Sequence, residues 1–178
     1  NRTSGVSEGT ILKVLTQAGS FEWLDISSRV TIDGILYRDF AGVDAVLGSI
    51  DKGILHTQGM FMMRYSKNAD GAINVIDTLT KNNDESDYTL NRITVTGGSD
   101  MEYRTSSKIL NFKYPLNDNA VVFIVPTAES ELTEIKNFKA GKISLIGNGS
   151  EYSPTTISLA NLDPESIFAD VVVIKQDL

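Results

Sequence analysis

Apolar residues along this chain fall in short clusters, rich in β-branched and aromatic side chains and bounded by turn residues, which is the signature of many strands. Thr10 to Leu15 and Phe21 to Ile26 are two such runs around Gln17-Ala18-Gly19-Ser20. Arg29 to Asp39 carries Asp33-Gly34, which fits either a type I′ hairpin or one strand with a glycine bulge. Gly59 to Tyr65 and Ala72 to Leu79 flank Asn68-Ala69-Asp70-Gly71, a reversal in which residues that tolerate positive φ predict a hairpin. Tyr88 to Thr96, Lys108 to Tyr114, Ile143 to Ile146, Thr155 to Leu159 and Phe168 to Ile174 read as further strands. Ala120 to Val125 has no polar side, which places it at a sheet centre covered on both faces.

Helical periodicity is scarce. Ser130 to Phe138 spaces Leu132, Ile135 and Phe138 by three, with acids early and a lysine late, as the helix dipole favours. Ala41 to Ile50 is a second, weaker helical stretch. About ten short strands with one or two short helical turns predict an all-β fold, an antiparallel β-sandwich or jelly-roll-like knob. Ser27-Ser28 is the expected internal boundary, dividing an N-terminal arm or neck with a β-hairpin (1–28) from a globular head (29–178).

Composition narrows function more than fold. The 178 residues form a chain long enough to bury a core without staples, and there is no Cys, which removes disulfides, Cys-based zinc sites and thiol nucleophiles. Twenty-three acids against sixteen bases give a net charge of −7 with no basic stripe, so nucleic acid is not an expected partner. No apolar run reaches the ~20 residues of a membrane-spanning helix. The chain opens at Asn1, which predicts a fragment or a processed form.

Catalysis finds little to work with. His56 is the single histidine, and no Gly-x-Ser-x-Gly elbow surrounds any serine. Gly97-Gly98 and Gly147-Asn148-Gly149 read as turns and not as phosphate loops. No catalytic residue, metal site or cofactor is therefore assigned. A carboxylate pair for glycoside hydrolysis is the enzymatic alternative, which spacing alone does not locate. For ligand binding, Asp84 and Asp87 of the acidic loop 82–87 stand out with Tyr88 and Tyr103, since aromatic faces stack on sugars and carboxylates accept from hydroxyls. For an oligomer seam, Met60 and Met62 share one strand face with Phe61, Met63 and Tyr65 on the other, both apolar and adaptable, and Trp23 is the only tryptophan.

Gly9, Leu12, Gly19 and Trp23 lie in a segment in which a Gly-x-aliphatic-Leu strand leads through a small Gly/Ser turn to a strand bearing Trp. This segment resembles a recurring element of tailed-bacteriophage fibre and virion-decoration proteins. The resemblance implies a virion structural protein, a fibre-head or decoration domain, virion-borne or extracellular, homotrimeric and acting in particle assembly or in adhesion to a host-surface glycan or protein. A bacterial adhesin or pilin, or a viral jelly-roll coat subunit, is the alternative.

Overall fold

The computed structural model describes residues 9–49, 61–78, 89–94, 103–104, 106–110, 114–126, 138–147, 154–163 and 165–176. Their elements are strands except for one α-helix and one 3-10 turn, so the fold is all-β. The chain divides into two compact units, Asn1–Val14 with Phe21–Thr80, and Leu15–Ser20 with Lys81–Leu178.

The first unit is a five-stranded sheet. Strand β1 (Ile11–Leu15) turns into β2 (Phe21–Ile32) through a three-residue loop, with the Thr16 N–H donating to the Ser20 carbonyl at 2.9 Å and the Gly19 N–H to the Thr16 carbonyl at 2.9 Å. Gly19 closes the loop at φ 86°, the left-handed residue that ends a type I turn in this kind of hairpin. Asp33 (φ 48°) and Gly34 (φ 82°) then reverse β2 into β3 (Ile35–Tyr37), so of the two readings of Asp33-Gly34 the hairpin is correct.

Asp39 starts α1 (Phe40–Ser49), its carboxylate accepting the Gly42 N–H at 2.7 Å as an N-cap does. Val43 and Leu47, four apart, face the core. Strands β4 (Met63–Lys67) and β5 (Ile73–Thr78) form the hairpin expected around Asn68 to Gly71. Its loop repeats the geometry of the first: Gly71 sits at φ 84°, and the Asn68 side chain accepts the N–H groups of Asp70 and Ala72, each at 3.0 Å. The sheet order is β1-β2-β5-β4, with β3 also on β2. Leu24, Ile26, Val30 and Ile32 of β2, Ile73 and Ile76 of β5, and Val43 and Leu47 of α1 make one core.

Thr78 ends β5 fully buried, and one residue accepts from both its N–H and its hydroxyl. Asp33 accepts the Thr78 N–H at 2.8 Å and the Thr78 hydroxyl at 2.6 Å, while its own N–H donates to the Ile76 carbonyl at 3.0 Å. The αL turn residue of the β2–β3 hairpin is thus the clasp that holds β5 beside β2.

The second unit is a seven-stranded sheet in the order β6 (Thr89–Thr94), β11 (Pro154–Asn161), β12 (Ala169–Gln176), β9 (Tyr114–Pro126), β8 (Ile109–Leu110), β7 (Tyr103–Arg104), with β10 (Lys139–Lys142) also on β9. The apolar run Ala120 to Val125 lies in β9, between β12 and β10, as a strand without a polar side should. Leu116, Ala120, Val122, Ile124, Ile157, Leu159, Val172 and Ile174 share its core. Asp170 at the head of β12 accepts from the Asn117 side chain at 3.1 Å and from the Leu162 N–H at 2.8 Å, tying β9 and the β11–β12 loop together. A Cβ on Gly19 would stand 2.7 Å from the Ala140 carbonyl oxygen, so that position needs glycine for space as well as for φ.

Three expectations change. Ser27-Ser28 lies inside β2, which runs on to Ile32, so no arm ends there; the two serines coincide with a register shift against β5 between Ile26 and Thr31, an irregularity a long strand absorbs. Both sheets are mixed and not purely antiparallel, because β5 runs parallel to β2 and β12 parallel to β9. Ile143–Ile146 is a 3-10 turn and not a strand: Ile146 is buried and Ile143 packs beside the same core, the i, i+3 pair that three residues per turn brings to one side. The strand at this place is the preceding, more polar Lys139–Lys142. Ser130 to Phe138 lies, except for Phe138, outside the described residues, whereas the Ala41 to Ile50 stretch is α1.

Candidate interaction surface

Burial along β2 falls on Leu24, Ile26, Val30 and Ile32, while Trp23 and Asp25 before the register shift, and Arg29 and Thr31 at and after it, lie toward the opposite face; Ser28, within the shift, is exposed as well. Trp23 is 71% exposed there. The hydrogen-bonded ends of the β1–β2 hairpin, Thr10 with Ile26 and Thr16 with Ser20, place Lys13 directly across from Trp23 and Ile11 across from Asp25. The Lys13 ammonium lies 5.3 Å from the Phe21 ring centroid and 5.5 Å from that of Trp23, a cation held against two aromatic faces.

At the other end of β2 the register sets Thr31 between Leu36 of β3 and Val75 of β5. Both are exposed large hydrophobics. Arg64 and Asp77, paired across β4 and β5, form an ion pair on the same sheet. The open face of the first sheet thus has an apolar end at Trp23 and Ile11, an apolar end at Leu36 and Val75, and Asp25 and Arg29 between them. Neither Asp25 nor Arg29 has an ion-pair partner among the described residues.

Tyr103 pairs with Leu110 across β7 and β8 and packs, half-buried, against the second core. Burial is the main force pushing its phenol above the ordinary tyrosine range, with Asp118 adding to the rise and Lys108 opposing it. Lys108 sits at φ 56° in the turn between β7 and β8 and is ion-paired with Asp118 of β9. Met62 is half-buried just ahead of β4, while Phe61, Met63 and Tyr65 pack on the first core, as strand alternation expects of that face. Asp84, Asp87, Tyr88, Met60 and His56 lie outside the described residues. Sequence reasoning singled out Trp23 but not Asp25, Arg29, Leu36 or Val75, because their common face depends on strand register.

Among the described residues no cluster of three or more His, Asp or Glu side chains is placed to hold a metal ion. No described helix is long and apolar enough to cross a membrane. What the open face offers is dispersion, cation–π attraction and two opposite charges, which are the terms of binding. Covering Trp23 would contribute about 3 kcal/mol, taking an aromatic side chain of roughly 200 Å² at about 25 cal/mol per Å² and discounting the part already covered. Compared with protein-family models, curated proteins and solved structures, the chain matches none.

Proposed function

We propose that this chain is a non-catalytic structural module of a virion-type assembly, a fibre-head or decoration domain that works by association with copies of itself and by adhesion to a host-surface glycan or protein. The observation that carries the reading is the open face of the first sheet, on which a tryptophan 71% exposed shares the surface with Ile11, Leu36 and Val75. Exposed large apolar side chains paired at each end of one sheet face, and not scattered singly, support an interaction site. The likeness of Gly9 to Trp23 to the fibre and decoration hairpin points the same way, because the face in question is built on that hairpin.

The mass of the full chain in solution, followed by sedimentation from sub-micromolar to about 100 μM, tests the reading. Self-association across that range is the expected result. A chain that stays monomeric throughout, and that captures neither host glycans nor host-surface proteins, contradicts it.

A further inference from the structure

The open face of β2 is complementary in charge to its own reversed order. From Trp23 the outward residues run apolar, acidic, small, basic and then Thr31 with its apolar neighbours: Trp23, Asp25, Ser27, Arg29, and Thr31 flanked by Leu36 and Val75. Two copies laid face to face about a two-fold axis lying in the interface, perpendicular to β2 and passing over Ser27, place position 25 of one copy opposite position 29 of the other. Each Asp25 then meets an Arg29, twice per pair. Each Trp23 meets the partner's Thr31 together with the apolar Leu36 and Val75 beside it.

From this pattern we infer that the first sheet is an isologous docking surface whose occupant is a second copy of this chain, with β2 antiparallel to its counterpart. The inference rests on the self-association reading above and names its geometry. It contains the two features that a self-complementary interface needs, since in a two-fold contact residue i meets j while j meets i. The alternative two-fold, with the axis along β2, sets Asp25 on Asp25 and Arg29 on Arg29, and like charges so placed oppose the complex.

Edge pairing through β1 is opposed as well. Lys13 is the middle residue of Ile11–Leu15, and antiparallel pairing of that strand with its copy sets Lys13 against Lys13. The contact is small. β1 flanks β2 only up to Ile26, and β3 and β5 flank it beyond, so the two-fold overlaps about two strand widths along twelve residues. That is roughly 400 Å² per copy and about 800 Å² in total, the size of a weak, concentration-dependent contact. The register shift at Ser27 to Val30 adds local twist where the axis passes, in keeping with aligned sheets that cross by about 30°.

The test is a charge exchange in the full chain, read by sedimentation, with circular dichroism and thermal melting as controls of folding. Asp25→Arg alone and Arg29→Asp alone should each weaken dimerisation at least tenfold, because each creates two like-charge contacts. Mixing the two variants should restore a heterodimer, since every contact between D25R and R29D chains joins opposite charges. The double variant D25R/R29D should dimerise with itself. If a charge reversal perturbs the fold, Asp25→Asn and Arg29→Gln should each weaken association more mildly, with no recovery on mixing.

Recovery in the mixture supports the two-fold. A wild-type dimer whose D25R and R29D variants are no weaker, or whose mixture recovers nothing, overturns it and leaves the self-association reading standing. So does a wild-type trimer, which an isologous face does not build. A wild-type chain monomeric at all concentrations overturns both.

Discussion

Asp33→Ala is expected to destabilise the first unit by about 3 kcal/mol in urea unfolding. The buried Thr78 would lose the Asp33 carboxylate that accepts from its N–H and its hydroxyl, and losing a buried hydrogen bond to a charged acceptor costs about 1.5–3 kcal/mol. Alanine also tolerates the left-handed backbone at φ 48° less well than aspartate, by about 1 kcal/mol. Asp33→Asn should cost about 1 kcal/mol or less, because asparagine accepts left-handed φ, keeps one carbonyl oxygen for the Thr78 N–H, and presents an amide from which the hydroxyl can accept. Equal losses for alanine and asparagine would mean that Asp33 is not a clasp but an ordinary turn residue.

The largest effect from a single apolar side chain is expected at Ile124. It is fully buried in β9, opposite Ile174 of β12 on one side and Lys139 of β10 on the other. Ile124→Ala should cost about 3–4 kcal/mol, the transfer free energy of the lost methyl and methylene groups plus the cavity left in a close-packed core. By contrast Ile167→Ala, at a position 74% exposed in the β11–β12 loop, should change stability by less than about 0.5 kcal/mol. A loss below about 1 kcal/mol at Ile124 would contradict the placement of β9 at the centre of its sheet.

Much of the architecture was legible residue by residue. Asn68 to Gly71 announces a hairpin, and Asp33-Gly34 a hairpin or a bulge, because few residues accept left-handed φ, and both places are reversals in the structure. Ala120 to Val125 announces a central strand because only burial on both faces suits a run without polar positions. Strand direction was not legible. Nothing in Ile73 to Thr78 distinguishes an antiparallel neighbour from the parallel β2 that it has, since pairing partners are chosen by the whole sheet. Ile143 to Ile146 misled for a related reason: four apolar residues satisfy a short strand and a 3-10 turn equally well.

The surface was half legible. Trp23 stood out as the only tryptophan on a hairpin strand, whereas Asp25 and Arg29 look like ordinary charges until alternation sets them on its face. Leu36 and Val75 look like core residues until register sets them beside Thr31 and away from the core. Surfaces of this kind are properties of three strands at once, which is why no single segment displays them.

The central claim is that the Trp23 face is covered by another copy of the chain, and the emission of that one tryptophan reports on it directly. Its fluorescence, followed from nanomolar to about 100 μM protein, should begin at the red wavelength of a water-exposed indole, then shift to the blue and become shielded from iodide quenching as copies associate. The same transition should move to higher concentration in the Asp25→Arg variant. Emission that stays red and fully quenchable at every concentration would contradict the account.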